Sequence, residues 1–334
     1  MPSPLDEPAP GEPAPLGESS QPLDISACHT ASIDPPWSGV RRGALRAGER
    51  VRLTDPKNHR HSVLLEAGKT FFTHKGSIDH DAMIGQPDGQ VVTSTGGVDY
   101  LVLRPLLADH VVSMPRGAAV VYPKDAAQIL VMADIFPGAH VVEAGVGSGA
   151  LTCSLLRAVG TGGVVSSYER REDFAAIARD NVDGFFGGSH PAWRLTLGDL
   201  AVDLAERERD VDRVILDMLA PWDCVDGVAT ALAPGGLVCA YVATTTQLSR
   251  FVETVRAHGG FTEPESWESL VRGWHVEGLA VRPSHRMNGH TGFLVTARRL
   301  APGTSAPRRS RRPAPGAYGH DYTGPRPAGP AVNE

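Results

Sequence analysis

From residue 123 onward, helix-patterned segments and short apolar runs alternate without a break, and this rhythm constrains the fold most strongly. "PKDAAQILVMADIF" (123–136) has helical spacing, with Pro123 suited to a first turn. "HVVEAG" reads as a strand, "GALTCSLLRAVG" as a helix, "VVSSYE" as a strand and "REDFAAIARDNV" as a helix. "WRLTLGD" and "VDRVILD" read as further strands, followed by helix "CVDGVATALA", strand "GLVCAYVA" and helix "TQLSRFVETVRAHG". Buried strands alternating with helices predict a doubly wound, mostly parallel α/β sheet. The end of this region offers two more strands around a long loop.

The stretch before it has a different character. Between residues 40 and 113, runs such as "ERVRL", "HSVLLE", "TFFTH" and "VDYLVLRPLL" are broken by Gly, Pro and Asn. That punctuation predicts a small antiparallel β module. Residues 1–38 and 301–334 are rich in Pro, Gly and Ser without apolar periodicity, and are expected to be disordered. The predicted organisation is an acidic head (1–38), a small β domain (39–113), an α/β domain (114–300) and an Arg/Pro-rich tail (301–334) carrying "RRSRR".

Charge is unevenly placed. Residues 1–38 hold six acids and no Lys or Arg, which accounts for the whole net charge of −6. Between 41 and 75, nine bases (Arg41, Arg42, Arg46, Arg50, Arg52, Lys57, Arg60, Lys69, Lys75) face three acids. Such an excess suits phosphate contacts, or else is a solvated face. No run approaches the ~20 apolar residues of a membrane helix, and the acidic, Pro-rich N-terminus is unlike a signal peptide. A cytoplasmic protein is expected. Four Cys without a CxxC pair read as free thiols, and thirteen scattered His give no metal site.

The chemistry concentrates at "VVEAGVGSGAL" (141–151), where the first strand of the sheet meets its first helix. Gly145, Gly147 and Gly149 allow a sharp turn against which a nucleotide-like ligand can lie. A dinucleotide fingerprint also fits at Gly145, Gly147 and Ala150, although a lone match is weak. Glu169 ends the next strand, where a carboxylate can accept ribose hydroxyls. Glu143 precedes the first glycine and can take the ammonium of a methionine moiety. Asp199, after the third strand, lies within reach of an adenine amino group. Three acids around one adenosine suit S-adenosylmethionine, a cation without phosphates. Asp217, in "LDMLAPWD", is either a substrate-facing carboxylate or an ordinary strand-exit acid.

These segments together resemble the bacterial, especially actinobacterial, tRNA (adenine-58-N1)-methyltransferases. The resemblance spans about residues 40–300, through "MPRGAAVVYPKDA", "VVEAGVGSGALT", "SYERREDFA", "GDL", "LDMLAPW" and "HRMNGHTGFLV". It implies a Rossmann-like class I methyltransferase domain behind a small antiparallel β domain, assembled as a homotetramer. It implies S-adenosylmethionine as donor and the T-loop adenosine of tRNA as acceptor. On matching positions, it implies that Ser148, Gly149, Ala150 and Leu151 line the cofactor, Glu169 takes the ribose and Phe174 flanks the adenine. Asp199 then reads the adenine edge, Asp217 faces the reacting centre and Tyr122 helps hold the target base, against the competing reading of a buried core Tyr. Trp222 is expected to pack rather than stack. Arg286 and His290 fall in a long loop that could border the site. A methyltransferase for a protein or small molecule, a NAD-dependent oxidoreductase and a non-catalytic RNA-binding protein are the rival readings.

Overall fold

The period-2 alternation of the strands decides which helices cover which face of the central sheet. The computed structural model describes residues 42–307, 316–320 and 322–324; the expectations for the acidic head and for "RRSRR" lie outside them. Six short strands come first: β1 (Arg50–Thr54), β2 (Arg60–Leu64), β3 (Thr70–Thr73), β4 (Gly76–Asp79), β5 (Val91–Thr93) and β6 (Asp99–Leu103). Four of them form an antiparallel sheet in the order β2-β1-β6-β5, and β3 and β4 make a separate hairpin. Leu45, Val51, Leu53, Val63, Leu65, Ile78, Met83, Tyr100 and Val102 bury a core of their own beneath them. Arg104 closes the module: buried, it donates to Glu49 and to the carbonyls of Gly43 and Ala44.

Strand structure stops at Leu103. Residues 107–113, read with the β module, form helix α1 (Leu107–Ser113). Its apolar Leu107 and Val111, one turn apart, pack with Met114, Val120 and Ala150 rather than with the module. An Arg52–Asp109 ion pair joins α1 to β1.

The remaining elements alternate: α2 (Pro123–Met132), β7 (His140–Ala144), α3 (Ala150–Val159), β8 (Val164–Glu169), α4 (Glu172–Phe186), β9 (Trp193–Leu197), α5 (Leu200–Arg207) and β10 (Val211–Leu216). They continue through α6 (Val225–Ala231), β11 (Leu232–Val242), α7 (Thr245–His258), β12 (Glu265–Trp267), β13 (Trp274–Glu277), β14 (Ala280–Pro283) and β15 (Phe293–Arg298). Seven strands form one sheet in the order β12-β15-β11-β10-β7-β8-β9. β9, β8, β7, β10 and β11 run parallel, and β15 and β12 complete the edge antiparallel. Residues 270–290 leave this edge as an excursion carrying the β13–β14 hairpin, which fills the long loop expected there.

Successive strand residues fall on opposite faces. Val141, Ile215, Cys239 and Leu294 pack with Ile129, Leu151, Leu155 and Phe185 from α2, α3 and α4. Their neighbours Val142, Leu216, Ala240 and Val295 pack with Leu204, Val228 and Phe251 from α5, α6 and α7. Helix α5 stands between β9 and β10, where the sequence pattern predicts one strand following directly on another. It is short, with Leu200 and Leu204 its buried apolar contacts, yet two parallel strands need such a crossover.

Candidate active site

Strand order reverses between β7 and β10, because β7 leads on to β8 on one side while β10 leads to β11 on the other. The carboxyl ends of strands at such a switch point open the crevice in which α/β proteins bind ligands. "GVGSG" leaves β7 here and Asp217 leaves β10 beside it. Asp217 N–H donates to the Ala144 carbonyl at 2.9 Å. A Cβ on Gly145 would stand 1.7 Å from the Asp217 carbonyl oxygen, and its φ is +82°. Only glycine lets the two chain exits pass this closely.

Gly149 starts α3 at φ +80°, and a Cβ there would crowd Val182 and the Ala178 backbone. Ser148 is buried; its Oγ accepts from Gly117 N–H at 3.3 Å, and its carbonyl accepts from Asn181 Nδ2 at 2.9 Å. Asn181 also donates to the Pro115 carbonyl, laying residues 115–117 over the glycine loop. Ala150 and Leu151, the first residues of α3, are buried behind it. Phe174 is half-buried: Gly117 leaves room for its ring, and the Arg171 guanidinium lies 3.6 Å from the ring centroid.

Four sequence-predicted acids differ in their surroundings. Glu169, at the end of β8, accepts from Gly147 N–H and Arg171 N–H, each at 3.0 Å. Glu143 is buried, and its Oε2 accepts from Thr152 Oγ1 at 2.8 Å and Ser167 Oγ at 2.6 Å. Burial pushes its carboxyl up to about 7; the two hydroxyls oppose that rise, and the Glu169 charge adds to it. Asp199 caps α5 by accepting from Ala201 N–H at 3.1 Å, and Arg170 Nε lies 3.5 Å from its other oxygen. Asp217 is half-buried, and among the described residues nothing donates to its carboxylate. Removal from water, followed by the charges of Glu143 and Glu169, pushes it up to about 7.

Glu143, Glu169 and Asp217 thus form an acidic cluster at the switch point. Such a set of carboxylates fits a cationic sulfonium and ammonium, and it disfavours a pyrophosphate. The ends of β7, β8 and β10 place these three acids, while Asp199 starts the helix after β9.

Tyr122, just ahead of Pro123 in α2, borders a cleft of about 330 Å³ with Lys124, Val271, Arg286, Met287 and Asn288. Tyr122 is therefore partly exposed rather than buried in the core. Arg286 lines this cleft. His290 is held apart from it: Nδ1 meets Glu268 at 3.0 Å and Nε2 meets the Ala243 carbonyl at 2.9 Å. Two acceptors call for two N–H donors, and both contacts raise the imidazole pKa, the Ala243 bond most. Trp222 packs against the core, with the Arg250 guanidinium 4.2 Å from its ring.

Gly117 and Asn181 carry no local sequence signal, because their partners are remote in the chain, and neither do Lys124 and Asp125 inside "YPKDA". Lys124 Nζ and the fully buried Asp125 carboxylate are 2.6 Å apart.

Comparison with known proteins agrees with this architecture. Residues 43–92 match the family described as TrmI-like N-terminal. Residues 101–281 match the family of the tRNA methyltransferase complex GCD14 subunit. The chain is 38% identical over 247 residues to the tRNA (adenine(58)-N(1))-methyltransferase TrmI of Thermus thermophilus, covering 74% of this chain and 95% of that one. It is 30% identical over 275 residues to the tRNA (adenine(57)-N(1)/adenine(58)-N(1))-methyltransferase TrmI of Methanocaldococcus jannaschii, covering 74% and 93%. Among solved structures, a SAM-dependent O-methyltransferase from Thermotoga maritima superposes with a TM-score of 0.72 at 32% identity, over 80% of this chain and 97% of that one. The tRNA (m1A58) methyltransferase TrmI from Aquifex aeolicus gives 0.66 at 25%, over 78% and 100%. The chain belongs to the tRNA (adenine-58-N1)-methyltransferase family of class I, S-adenosylmethionine-dependent enzymes.

Proposed function

We propose that this chain transfers the methyl group of S-adenosylmethionine to N1 of adenosine 58 in the T-loop of tRNA. One observation carries the reading: Asp217 stands against the glycine loop at the switch point, and none of the described residues donates to its carboxylate. When bound, S-adenosylmethionine supplies an electrophilic methyl on a cationic sulfur. Glu169 holds the ribose hydroxyls, Glu143 draws the ammonium end, Phe174 flanks the adenine and Asp199 accepts from its amino group. The loop residues Gly145, Gly147, Ser148, Gly149, Ala150 and Leu151 form the surface beneath.

Adenine N1 carries an in-plane lone pair, so no proton has to leave before it attacks. What the protein must supply is alignment, and negative charge where the ring becomes positive. Asp217 does both by accepting from the exocyclic N6 amine. It fixes the Watson–Crick edge and offsets the developing charge. Once the ring is cationic, the same carboxylate is placed to take an N6 proton. A base inside a folded T-loop must first be flipped out, and Tyr122 receives it in the cleft it borders with Arg286.

The β module, residues 42–103 among those described, meets the tRNA backbone. Arg42, Arg46, Lys57, Arg60 and Lys69 are exposed there, whereas Lys75 is tied to Asp55 at 2.6 Å. The enzyme works in the cytoplasm as a homotetramer, a state that light scattering of the purified chain tests directly. None of the helices among the described residues is long and apolar enough to cross a membrane.

Primer extension tests the reaction. Purified protein, labelled S-adenosylmethionine and unmodified tRNA transcript should give a reverse-transcriptase stop at adenosine 58. Intact cofactor binding with no stop there would refute the assignment.

A further inference from the structure

Residues 270–290 are almost entirely exposed, with Leu270 and Val271 at 58% and 62%, so core packing does not set where this excursion lies. Beyond the β12–β15 pairing at their roots, its two stems are joined to α2 by one pair of side chains. Lys124 Nζ donates to Asp125 Oδ1 at 2.6 Å, to the Ser269 carbonyl at 2.8 Å and to Thr291 Oγ1 at 2.6 Å. Thr291 Oγ1 in turn donates to Asp125 Oδ2 at 2.6 Å, and Ser269 Oγ donates to Oδ1 at 3.1 Å. All three ammonium protons and both hydroxyl protons therefore have acceptors. Ser269 precedes the excursion and Thr291 follows it. Both converge on the first turn of α2, immediately after Tyr122.

We infer that Lys124 and Asp125 are positioning residues: they latch both stems of the excursion to α2, and so hold Arg286, Met287 and Asn288 around the cleft that Tyr122 borders. A closed, charge-assisted network is specific in a way that apolar contact is not, because losing one member leaves a buried charge short of partners. The stems have further ties, from Tyr241 Oη to the Thr291 carbonyl at 2.8 Å and from His290 to Ala243 and Glu268. Among the described residues outside the stems, Lys124 and Asp125 are the ones that hydrogen-bond to both at once. Their effect is on the acceptor side. The donor side, built on β7, β8 and β10, has no member in the network.

This inference rests on the reading that Tyr122 receives the target base. Lys124→Met strands the Asp125 charge and risks unfolding the chain, so Thr291→Val and Ser269→Ala carry the test in the full-length protein. For Thr291→Val we expect unchanged S-adenosylmethionine affinity and faster amide exchange across 270–290. We also expect about a tenfold loss of kcat/KM for tRNA, as a misplaced acceptor gives. Ser269→Ala should shift each quantity the same way by less. Wild-type exchange in 270–290, or wild-type kcat/KM in Thr291→Val, overturns the latch. Tyr122→Ala separates the two layers. If it lowers kcat/KM while Thr291→Val does not, the latch alone is wrong. If Tyr122→Ala leaves kcat/KM unchanged, the base-site reading fails and takes the latch with it.

Discussion

Asp125 and Asp217 send their charges to the same neighbour, Tyr241, whose pKa is raised first by burial and then by these two carboxylates. Their surroundings are opposite. Asp125 is closed on itself by an ammonium and two hydroxyls, while Asp217 receives no donor among the described residues. A desolvated carboxylate without partners is unfavourable to folding, and it persists where a ligand completes it. The Asp125 region thus spends its polar groups on shape and the Asp217 region keeps them for substrate. Glu143 stands between the two: hydroxyls hold one oxygen, yet its carboxyl remains raised to about 7.

Stability separates the two aspartates most widely. Asp125→Ala leaves Lys124 largely buried beside two orphaned hydroxyls and should cost ~3–5 kcal/mol, read from denaturant unfolding. Asp217→Ala removes an unpaired carboxylate and should leave stability unchanged or raise it. Equal losses in the two variants would erase the contrast. Next is pH. Glu143 and Asp217 sit near 7 in the free protein, well above ordinary carboxylates, so the folded state gains from binding their protons. That contribution is fully present below about pH 4 and is lost as pH rises through about 7. A cationic cofactor prefers the ionised cluster. Its affinity, measured calorimetrically, should therefore climb by up to ~tenfold per pH unit for each proton released below 7, then level off. A flat profile from pH 5 to 8 would place these acids outside the cofactor's field. The smallest effect is expected from Asp199→Ala, where loss of the α5 cap costs ~1 kcal/mol in unfolding. A much larger loss would make Asp199 another closed, structural acid like Asp125.

What was legible in the sequence was local or periodic. Strands β7, β8, β10 and β11 declare themselves as apolar runs, and the glycine loop declares the turn that follows β7. From these, the places of Glu143, Glu169 and Asp217 at strand ends follow directly. Helix α1 was hidden because "VDYLVLRPLL" runs a strand into its first residue, and α5 because two leucines one turn apart carry too little periodicity. The latch was illegible for another reason. Lys124 and Asp125 look like an ordinary first helical turn, and their partners lie at 269 and 291, across most of the α/β domain. Nothing near "YPKDA" indicates that its charges are buried. In the same way, sequence could bring Glu143 to the ligand edge but could not reveal that Thr152 and Ser167 occupy one of its oxygens.

The central claim is that Asp217 is left open for the acceptor base. Its direct test is the single-turnover rate of tRNA methylation by Asp217→Ala, with cofactor and enzyme both saturating. The account predicts a fall of ~10²–10³-fold, the size expected for losing a preorganised electrostatic partner, with tRNA affinity retained. A single-turnover rate equal to that of the unmodified enzyme would contradict it.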